Sequence, residues 1–190
     1  MSQSQSLKNY KWLWLGFGVA GLLFGLTCYT IYVSKAWSYA YDEPAACINC
    51  HIMGSYYQSW EKSSHREWAT CNDCHVPNDK ILRQYGFKAI DGLYHAAVFT
   101  LRTEPQVIRP RESTREVLLE NCIRCHSPLV TEFVKMTPNY ESILNGDKKA
   151  CWDCHQDLTH TAMSGLGSNN NVNLPLPASP VPAWLDNMLR

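Results

Sequence analysis

A five-residue pattern, C-x-x-C-H, occurs four times in this sequence and limits what the chain can fold around. It is the attachment signature of c-type haem, in which two cysteines form thioethers to the porphyrin and the adjacent histidine can ligate iron. The four copies take up eight of the nine cysteines, so their spacing argues against a disulfide framework or a zinc half-site. We therefore predict four covalently bound haem c groups. The predicted attachment residues are Cys47, Cys50, Cys71, Cys74, Cys122, Cys125, Cys151 and Cys154.

Residues 12–34 form an uncharged apolar segment of about 34 Å as a helix, which is long enough to cross a bilayer. The alternative, a cleaved signal peptide, has an apolar region of only about 7–15 residues. Lys8 and Lys11 precede the segment and place the N-terminus in the cytoplasm, although Lys35 weakens this bias. The haem frames agree, because covalent haem attachment in bacteria takes place outside the cytoplasmic membrane. Gly21 and Gly25 form a G-x-x-x-G that would permit self-association of the anchor within the lipid.

The order of the four frames predicts a duplication. The first and third read C-I-x-C-H, and the second and fourth read C-x-D-C-H, which indicates a repeated two-haem module. The expected fold is mainly α with much irregular structure, one N-terminal transmembrane helix and a tetrahaem domain. The predicted boundaries are a cytoplasmic N-terminus (1–11), an anchor (12–34), a periplasmic haem domain (35–163) and an unstructured tail rich in Pro and Asn (164–190). Seventeen basic and seventeen acidic residues balance, which argues against nucleic acid as a partner.

Histidines are too few to ligate every iron twice. Four haems with two axial ligands each need eight, and the chain has seven histidines. Outside the frames lie only His65, His95 and His160, so at least one haem must use another residue, a partner's residue or an open position. Met53 follows the first frame and offers a thioether, although packing is the ordinary role of such a residue. The candidate axial ligands are His75, His126, His155, His160, His65 and Met53, with His51 and His95 as further candidates.

A helix is predicted from Lys80 to Leu101, with Asn78 or Asp79 as its cap. Along it, Gln84, Lys88, Asp91 and His95 share one face. A solvated surface is the ordinary explanation of such a face. In a membrane-bound redox protein, however, a lysine with a carboxylate base suits the oxidation of a quinol, which must lose two protons with two electrons.

These motifs, from SKAWSY near residue 35 to ACWDCHQDLTH near residue 155, resemble the NapC/NirT-type membrane tetrahaem quinol dehydrogenases. Within that family the chain is most similar to the small subunits of cytochrome c nitrite reductases. The resemblance implies that Met53 ligates the first haem, whose other side is open beside Asp91, and that Lys88 and Asp91 line a menaquinol site. A second lysine of the family's pattern is replaced by Gln84, so Lys80 or Lys88 substitutes for it or the quinone contact differs.

The same resemblance implies a set of ligand pairs. The third haem would pair His126 with His160, and the fourth His155 with His65. The second haem would keep His75 and take a lysine from a catalytic partner. For His95 three roles stay open: a ligand of the second haem, a residue of the quinol site, or a surface residue.

Three functions follow from these expectations. The first is a menaquinol-oxidising module in the inner membrane that passes electrons to the catalytic subunit of a periplasmic multihaem nitrite reductase. The second is a general quinol dehydrogenase that feeds nitrate, trimethylamine-oxide or other reductases. The third is an electron-transfer anchor without quinone chemistry. The lysine–aspartate face favours the first two over the third.

Overall fold

The computed structural model describes residues 2–130, 139–160 and 188. The predicted tail therefore lies almost wholly outside the described residues. Those residues are helical and irregular, without a strand, as the composition and motifs predict. Seven α-helices are described: α1 (Ser2–Val33), α2 (Gly54–Glu61), α3 (Cys71–His75), α4 (Ile81–Leu101), α5 (Glu112–His126), α6 (Tyr140–Leu144) and α7 (Cys151–Cys154). Short 3-10 helices cover Ala36–Ala40, Pro44–Asn49, His51–Met53 and Ser127–Leu129.

The described chain divides into two units, the first containing α1 and continuing to Trp37 and the second containing α2 to α7. Within α1, Tyr10–Val33 is one segment of 24 residues that is long and apolar enough to cross a membrane. Its large apolar side chains are exposed all round the helix, as is expected of a helix surrounded by lipid. The chain is thus a single-pass membrane protein by this helix, while the domain boundaries at residues 11, 34 and 163 stay predictions.

The second unit has very little apolar core of its own. Only eight apolar side chains among the described residues are buried: Ala46, Ile48, Trp60, Val76, Pro77, Val117, Leu119 and Ala150. A globular domain of ordinary composition buries many more apolar side chains, because burial of apolar surface is the main driving force of folding. A shortage of this kind fits a fold in which large prosthetic groups take the place of side chains.

Asn121 of α5 ties the second frame to the third. Its side-chain amide donates to the carbonyls of Cys74 (3.0 Å) and Val76 (2.9 Å), and its oxygen accepts from Arg124 (3.2 Å) and Asn78 (3.3 Å). Asn121 is buried, so these bonds replace contacts with water. They hold α3 against α5.

Helix α4 begins one residue later than predicted and ends where predicted. Its N-cap is Lys80, and neither Asn78 nor Asp79 caps it, so that expectation was wrong. The physical reason is that both side chains have other partners. Asn78 donates to the carbonyl of Val76, and Asp79 pairs with Arg83 one turn into the helix (3.1 Å). Arg83 also reaches Glu120 of α5 (2.9 Å), which fixes α4 to the rest of the unit.

Candidate functional site

The second and fourth frames begin in the same way. Each opens a short helix, α3 or α7, and the aspartate of each C-x-D-C-H accepts the backbone N–H of the residue before the first cysteine. These bonds are Thr70 N to Asp73 and Ala150 N to Asp153, both 2.8 Å. A carboxylate in the first turn stabilises a helix by capping and by the helix dipole. The shared cap explains why the frames share this aspartate, while the duplication of a whole two-haem module stays a prediction.

Thiols of neighbouring frames contact each other. Cys47 and Cys71 are hydrogen-bonded, which raises the pKa of the Cys71 thiol and lowers that of Cys47. Burial raises the pKa of the Cys122 thiol to about 11, with a further contribution from Cys151. The first frame therefore lies against the second, and the third against the fourth. Porphyrins attached at these positions would lie close together in pairs.

Two pairs of histidine rings face each other. The ring centres of His75 and His160 lie 6.3 Å apart, and those of His65 and His126 lie 6.2 Å apart. Two imidazoles bound to opposite sides of one iron, each through a bond of about 2 Å, place their ring centres roughly 6 Å apart. The spacing of both pairs therefore fits a haem iron between the rings.

Burial and hydrogen bonding of His65, His75 and His160 also fit iron ligands, whereas His126 is exposed. The Nδ1 atoms of His65 and His160 are buried and have no hydrogen-bond partner. Desolvation, with a smaller effect of the nearby His160, lowers the pKa of His75 to about 4, and burial lowers the pKa of His160. The neutral imidazole is the form that ligates a metal. No cluster of three metal-ligating side chains occurs among the residues that the structure describes.

This arrangement differs from the ligand pairs that the resemblance implies, which stay predictions. The His160 ring lies near His75 of the second frame, and the His65 ring lies near His126 of the third frame. Helix α2 contributes to this arrangement. Ser59 donates to the carbonyl of Thr159 (3.1 Å), which holds the residue before His160 against α2. The edge of the His160 ring then rests on Tyr56, with ring centres 5.6 Å apart.

Helix α2 also holds the segment that carries His65. The indole of Trp60 donates to the carbonyl of Ala69 (2.9 Å), and the Ala69 N–H donates to the carbonyl of His65 (2.9 Å). Trp60 is buried, so this bond is shielded from water. One short helix thus positions two of the three histidines that lie outside the frames, His65 and His160.

The histidines of the first and fourth frames are exposed and face no second imidazole within the described part of the chain. The ring of His51 lies edge-on to Phe99 of α4, with centres 6.4 Å apart. Met53 is half-buried in the same 3-10 turn, directly before α2. His155 lines a surface hollow of about 460 Å³ with Cys154, Gln156, Asp157 and Leu158.

Lys88 of α4 points into the protein. Its side chain is only 11% exposed, and its Nζ lies 2.7 Å from the carboxylate of Asp42. It also donates to the carbonyls of Tyr41 (3.4 Å) and Ala40 (3.5 Å). Both residues follow the anchor segment by a few positions. The hydrogen bond from Lys88, with a second from Asn72, lowers the pKa of Asp42.

Asp91 lies one turn further along the same face and is 17% exposed. Its Oδ1 accepts from Arg111 (3.0 Å), and its Oδ2 faces Nε2 of His95 at 3.5 Å. The Arg111 guanidinium also covers the ring of Tyr94 at 4.2 Å. The Asp91 carboxylate is close enough to His75 for its negative charge to oppose the lowering of the His75 pKa. A carboxylate held at one oxygen, with the other oxygen beside an imidazole, can accept a proton and pass it on.

Lys88, Asp91 and His95 lie on one face of α4, as their spacing in the sequence predicted. Sequence reasoning missed Arg111 and Asp42, which lie 20 and 46 residues from their partners. No local pattern marks either of them, so only the fold could identify them. His95 is 64% exposed and its Nε2 faces Asp91, which favours a role beside the carboxylate over a role as an iron ligand.

Comparisons with known proteins agree with this description. The family profile for the "NapC/NirT cytochrome c family, N-terminal region" matches residues 7–165. "Cytochrome c-type protein NrfH" of Wolinella succinogenes is 35% identical over 151 residues, or 78% of this chain and 85% of that protein. "Tetraheme c-type cytochrome CymA" of Shewanella oneidensis is 25% identical over 82% of this chain and 94% of its own length.

A similar solved structure also exists. The crystal structure of the cytochrome c nitrite reductase NrfHA complex bound to the HQNO inhibitor contains a chain that matches 87% of this one, with a TM-score of 0.55 and 28% identity. The match covers 99% of that chain.

Proposed function

Because the chain belongs to the NapC/NirT cytochrome c family, we propose that it oxidises menaquinol at the membrane and passes the electrons to a periplasmic multihaem nitrite reductase. The reductase partner is proposed because a relative with 32% identity over 127 residues is named a cytochrome c nitrite reductase subunit, and the matching solved structure is that of a cytochrome c nitrite reductase complex. The observation that carries the quinol chemistry is the inward face of α4, where Lys88 and Asp91 lie one turn apart with little exposure.

We place the N-terminus in the cytoplasm and residues 35–163 on the periplasmic side, because Lys8 and Lys11 precede the span. Four haem c groups would be held by the four cysteine pairs. When bound, each haem iron accepts one electron and passes it on. His75 with His160, and His126 with His65, would supply both axial ligands to the second and third haems.

The first and fourth frames would each keep a free side. For the first haem, His51 and Met53 are the candidates within reach of the frame, which fits one ligand and an open side. For the fourth, His155 is exposed and no second imidazole of the described residues approaches it. A ligand from the reductase would therefore complete the fourth haem, whereas the resemblance had implied the second.

Quinol oxidation assigns a task to each side chain on the inward face. The Lys88 ammonium, held by Asp42, would exchange one of its two longer bonds to backbone carbonyls for a hydrogen bond to a quinol oxygen. Asp91 would accept the hydroxyl proton. Its Oδ2 faces His95, whose exposed ring would carry the proton to water. Arg111 holds Oδ1 and so keeps the other oxygen directed at the site.

The test uses the purified full-length protein with its haems. A menaquinol analogue should reduce the haems, and addition of a purified multihaem nitrite reductase with nitrite should then produce ammonium. Lys88→Ala should slow the first step, whereas Lys62→Ala, which changes an exposed lysine directly after α2, should not. Failure of the quinol step would contradict the proposal. Electron delivery to a periplasmic nitrate reductase but not to the nitrite reductase would favour the general quinol dehydrogenase instead.

A further inference from the structure

The second frame differs from the other three at the residue that follows its first cysteine. That residue is Asn72, whereas the other frames carry Ile48, Ile123 and Trp152 at the same place. Helix α3 does not need an asparagine there, because the aspartate of the frame makes its cap, as it does in the fourth frame. The side-chain amide of Asn72 is therefore available for a contact outside the frame.

That contact is made with the segment that also holds Lys88. The Nδ2 group of Asn72 donates to Oδ1 of Asp42 (2.8 Å) and to the carbonyl of Tyr41 (3.3 Å). The Lys88 ammonium donates to the same two oxygens, at 2.7 Å and 3.4 Å. A side-chain amide nitrogen carries two hydrogens and an ammonium three, so both donors can serve both acceptors. Asn72 of α3 and Lys88 of α4 thus share one pair of oxygens.

The ion pair between Lys88 and Asp42 does not by itself fix the lysine. The Asp42 side chain is 55% exposed, and ion pairs that reach solvent contribute little to stability. Asn72 adds a second restraint, because it ties the same carboxylate oxygen to α3. The hydrogen bond from Lys88 and then that from Asn72 lower the pKa of Asp42, which favours the charged carboxylate that Lys88 requires.

Helix α3 is a firm support for this restraint. Asn121 of α5 donates to the carbonyls of Cys74 (3.0 Å) and Val76 (2.9 Å) at the end of α3. The carbonyl of Asn72 itself accepts the N–H of Val76 (3.0 Å). A side chain can orient another group only when its own backbone is held by neighbours, and Asn72 meets this condition.

The shared acceptors also indicate which bond Lys88 exchanges for a quinol oxygen. Its ammonium has three hydrogens, and Asp42, Tyr41 and Ala40 accept them. The carbonyl of Tyr41 keeps a donor when Lys88 leaves it, because Asn72 continues to donate to it. Release of this bond therefore avoids the penalty of an acceptor without a partner.

We propose that Asn72 is a positioning residue for quinol oxidation. It holds Asp42 and Tyr41, and through these two residues it directs the Lys88 ammonium at the quinol oxygen. The inference rests on the proposed function, in which Lys88 donates to the quinol. The second frame, which is predicted to attach a haem, would thereby also orient a side chain that binds the substrate.

The first test is a double-mutant cycle on the full-length protein with its haems. Asn72→Ala should slow haem reduction by a menaquinol analogue about 2- to 10-fold at low quinol concentration, the range that one hydrogen bond contributes. The loss should appear in KM more than in kcat. In a Lys88→Ala protein the same change should have no further effect, because Asn72 acts through the lysine. Asn145→Ala is the matched control, since it changes an exposed asparagine directly after α6, and it should keep the rate.

The second test needs no quinol. Acetic anhydride acetylates lysine amines, and mass spectrometry gives the acetylation rate of Lys88 relative to that of exposed Lys62 in the same protein. Asn72→Ala should raise this ratio by about the same 2- to 10-fold, because the restraint on the ammonium is lost. Equal reduction by dithionite and an unchanged haem absorbance spectrum show that a variant is intact. Asn72→Ser, whose hydroxyl is too short to reach both oxygens, replaces Asn72→Ala in both tests if the latter does not assemble its haems.

Slower quinol reduction that disappears in the Lys88→Ala background, with a raised acetylation ratio, is the expected result. Equal losses in both backgrounds, or an unchanged ratio, would overturn the inference. If Lys88→Ala slows the quinol step and Asn72→Ala does not, only the positioning role of Asn72 fails. A wild-type quinol rate for Lys88→Ala would overturn the inference together with the role of Lys88 in the proposed function.

Discussion

Replacement of Asp91 by asparagine tests the proposed proton acceptor with the least structural change. Asparagine has nearly the same shape, and its oxygen can still accept the hydrogen bond from Arg111. The change removes the negative charge and with it the ability to take a proton from the quinol. Because asparagine fills the same space and keeps an acceptor for Arg111, we expect the haem content and the fold to survive.

The expected effect on the rate follows from the loss of a general base. Such a group contributes about 10²- to 10⁴-fold, or about 3–5 kcal/mol of activation free energy. The rate of haem reduction by a menaquinol analogue should fall by that factor in stopped-flow absorbance measurements. Reduction by dithionite should be unchanged, because dithionite supplies electrons without a quinol proton.

Asp79→Asn is the matched control. It makes the same chemical change near the start of the same helix, where Asp79 is exposed and pairs with Arg83. The control should keep the quinol-dependent rate of the unmodified protein. A wild-type rate for Asp91→Asn, or an equal loss in both variants, would refute the assignment of Asp91 as the base.

Five other substitutions, at four residues, have defined outcomes. His160→Ala should make the haem of the second frame high-spin and leave the fourth unchanged, since the His160 ring faces His75; electron paramagnetic resonance of the purified protein checks this. His65→Ala should act in the same way on the third haem. Asn121→Ala leaves the buried carbonyls of Cys74 and Val76 without donors, so guanidinium unfolding followed by haem absorbance should show a loss of about 2–4 kcal/mol. Arg111→Ala should slow reduction by quinol while Arg111→Lys retains part of the rate, and equal rates for both variants and the unmodified protein would show that the contact with Asp91 is not needed.

Features that depend on neighbours along the chain were predictable from the sequence. A haem attachment frame is such a feature, because two thioethers and a proximal histidine must come from five consecutive residues. The membrane span is another, since its length and lack of charge are local properties. The helix from Ile81 to Leu101 followed from periodicity, and the structure confirms it to within one residue at its start.

Contacts between residues that are distant in sequence could be identified only from the tertiary structure. A second axial ligand can come from any part of the chain, so the sequence could not show which frame His65 or His160 approaches. Hydrogen bonds made by α2 carry His160 to the second frame and hold the segment of His65 near the third. The partners of Lys88 and Asp91, which are Asp42 and Arg111, come from distant segments for the same reason.

Helix α4 shows most clearly what hydrophobic periodicity cannot predict. Periodicity sorts its residues onto a polar and an apolar face, but it carries no information on which face turns towards the protein. The ordinary expectation for a water-soluble surface puts the polar face outside. The ion pair of Lys88 with Asp42 and that of Asp91 with Arg111 instead draw the polar face inward and leave Leu82, Ile90 and Leu93 outside. The sequence determined that these two faces exist, and the contacts across the fold decided their direction.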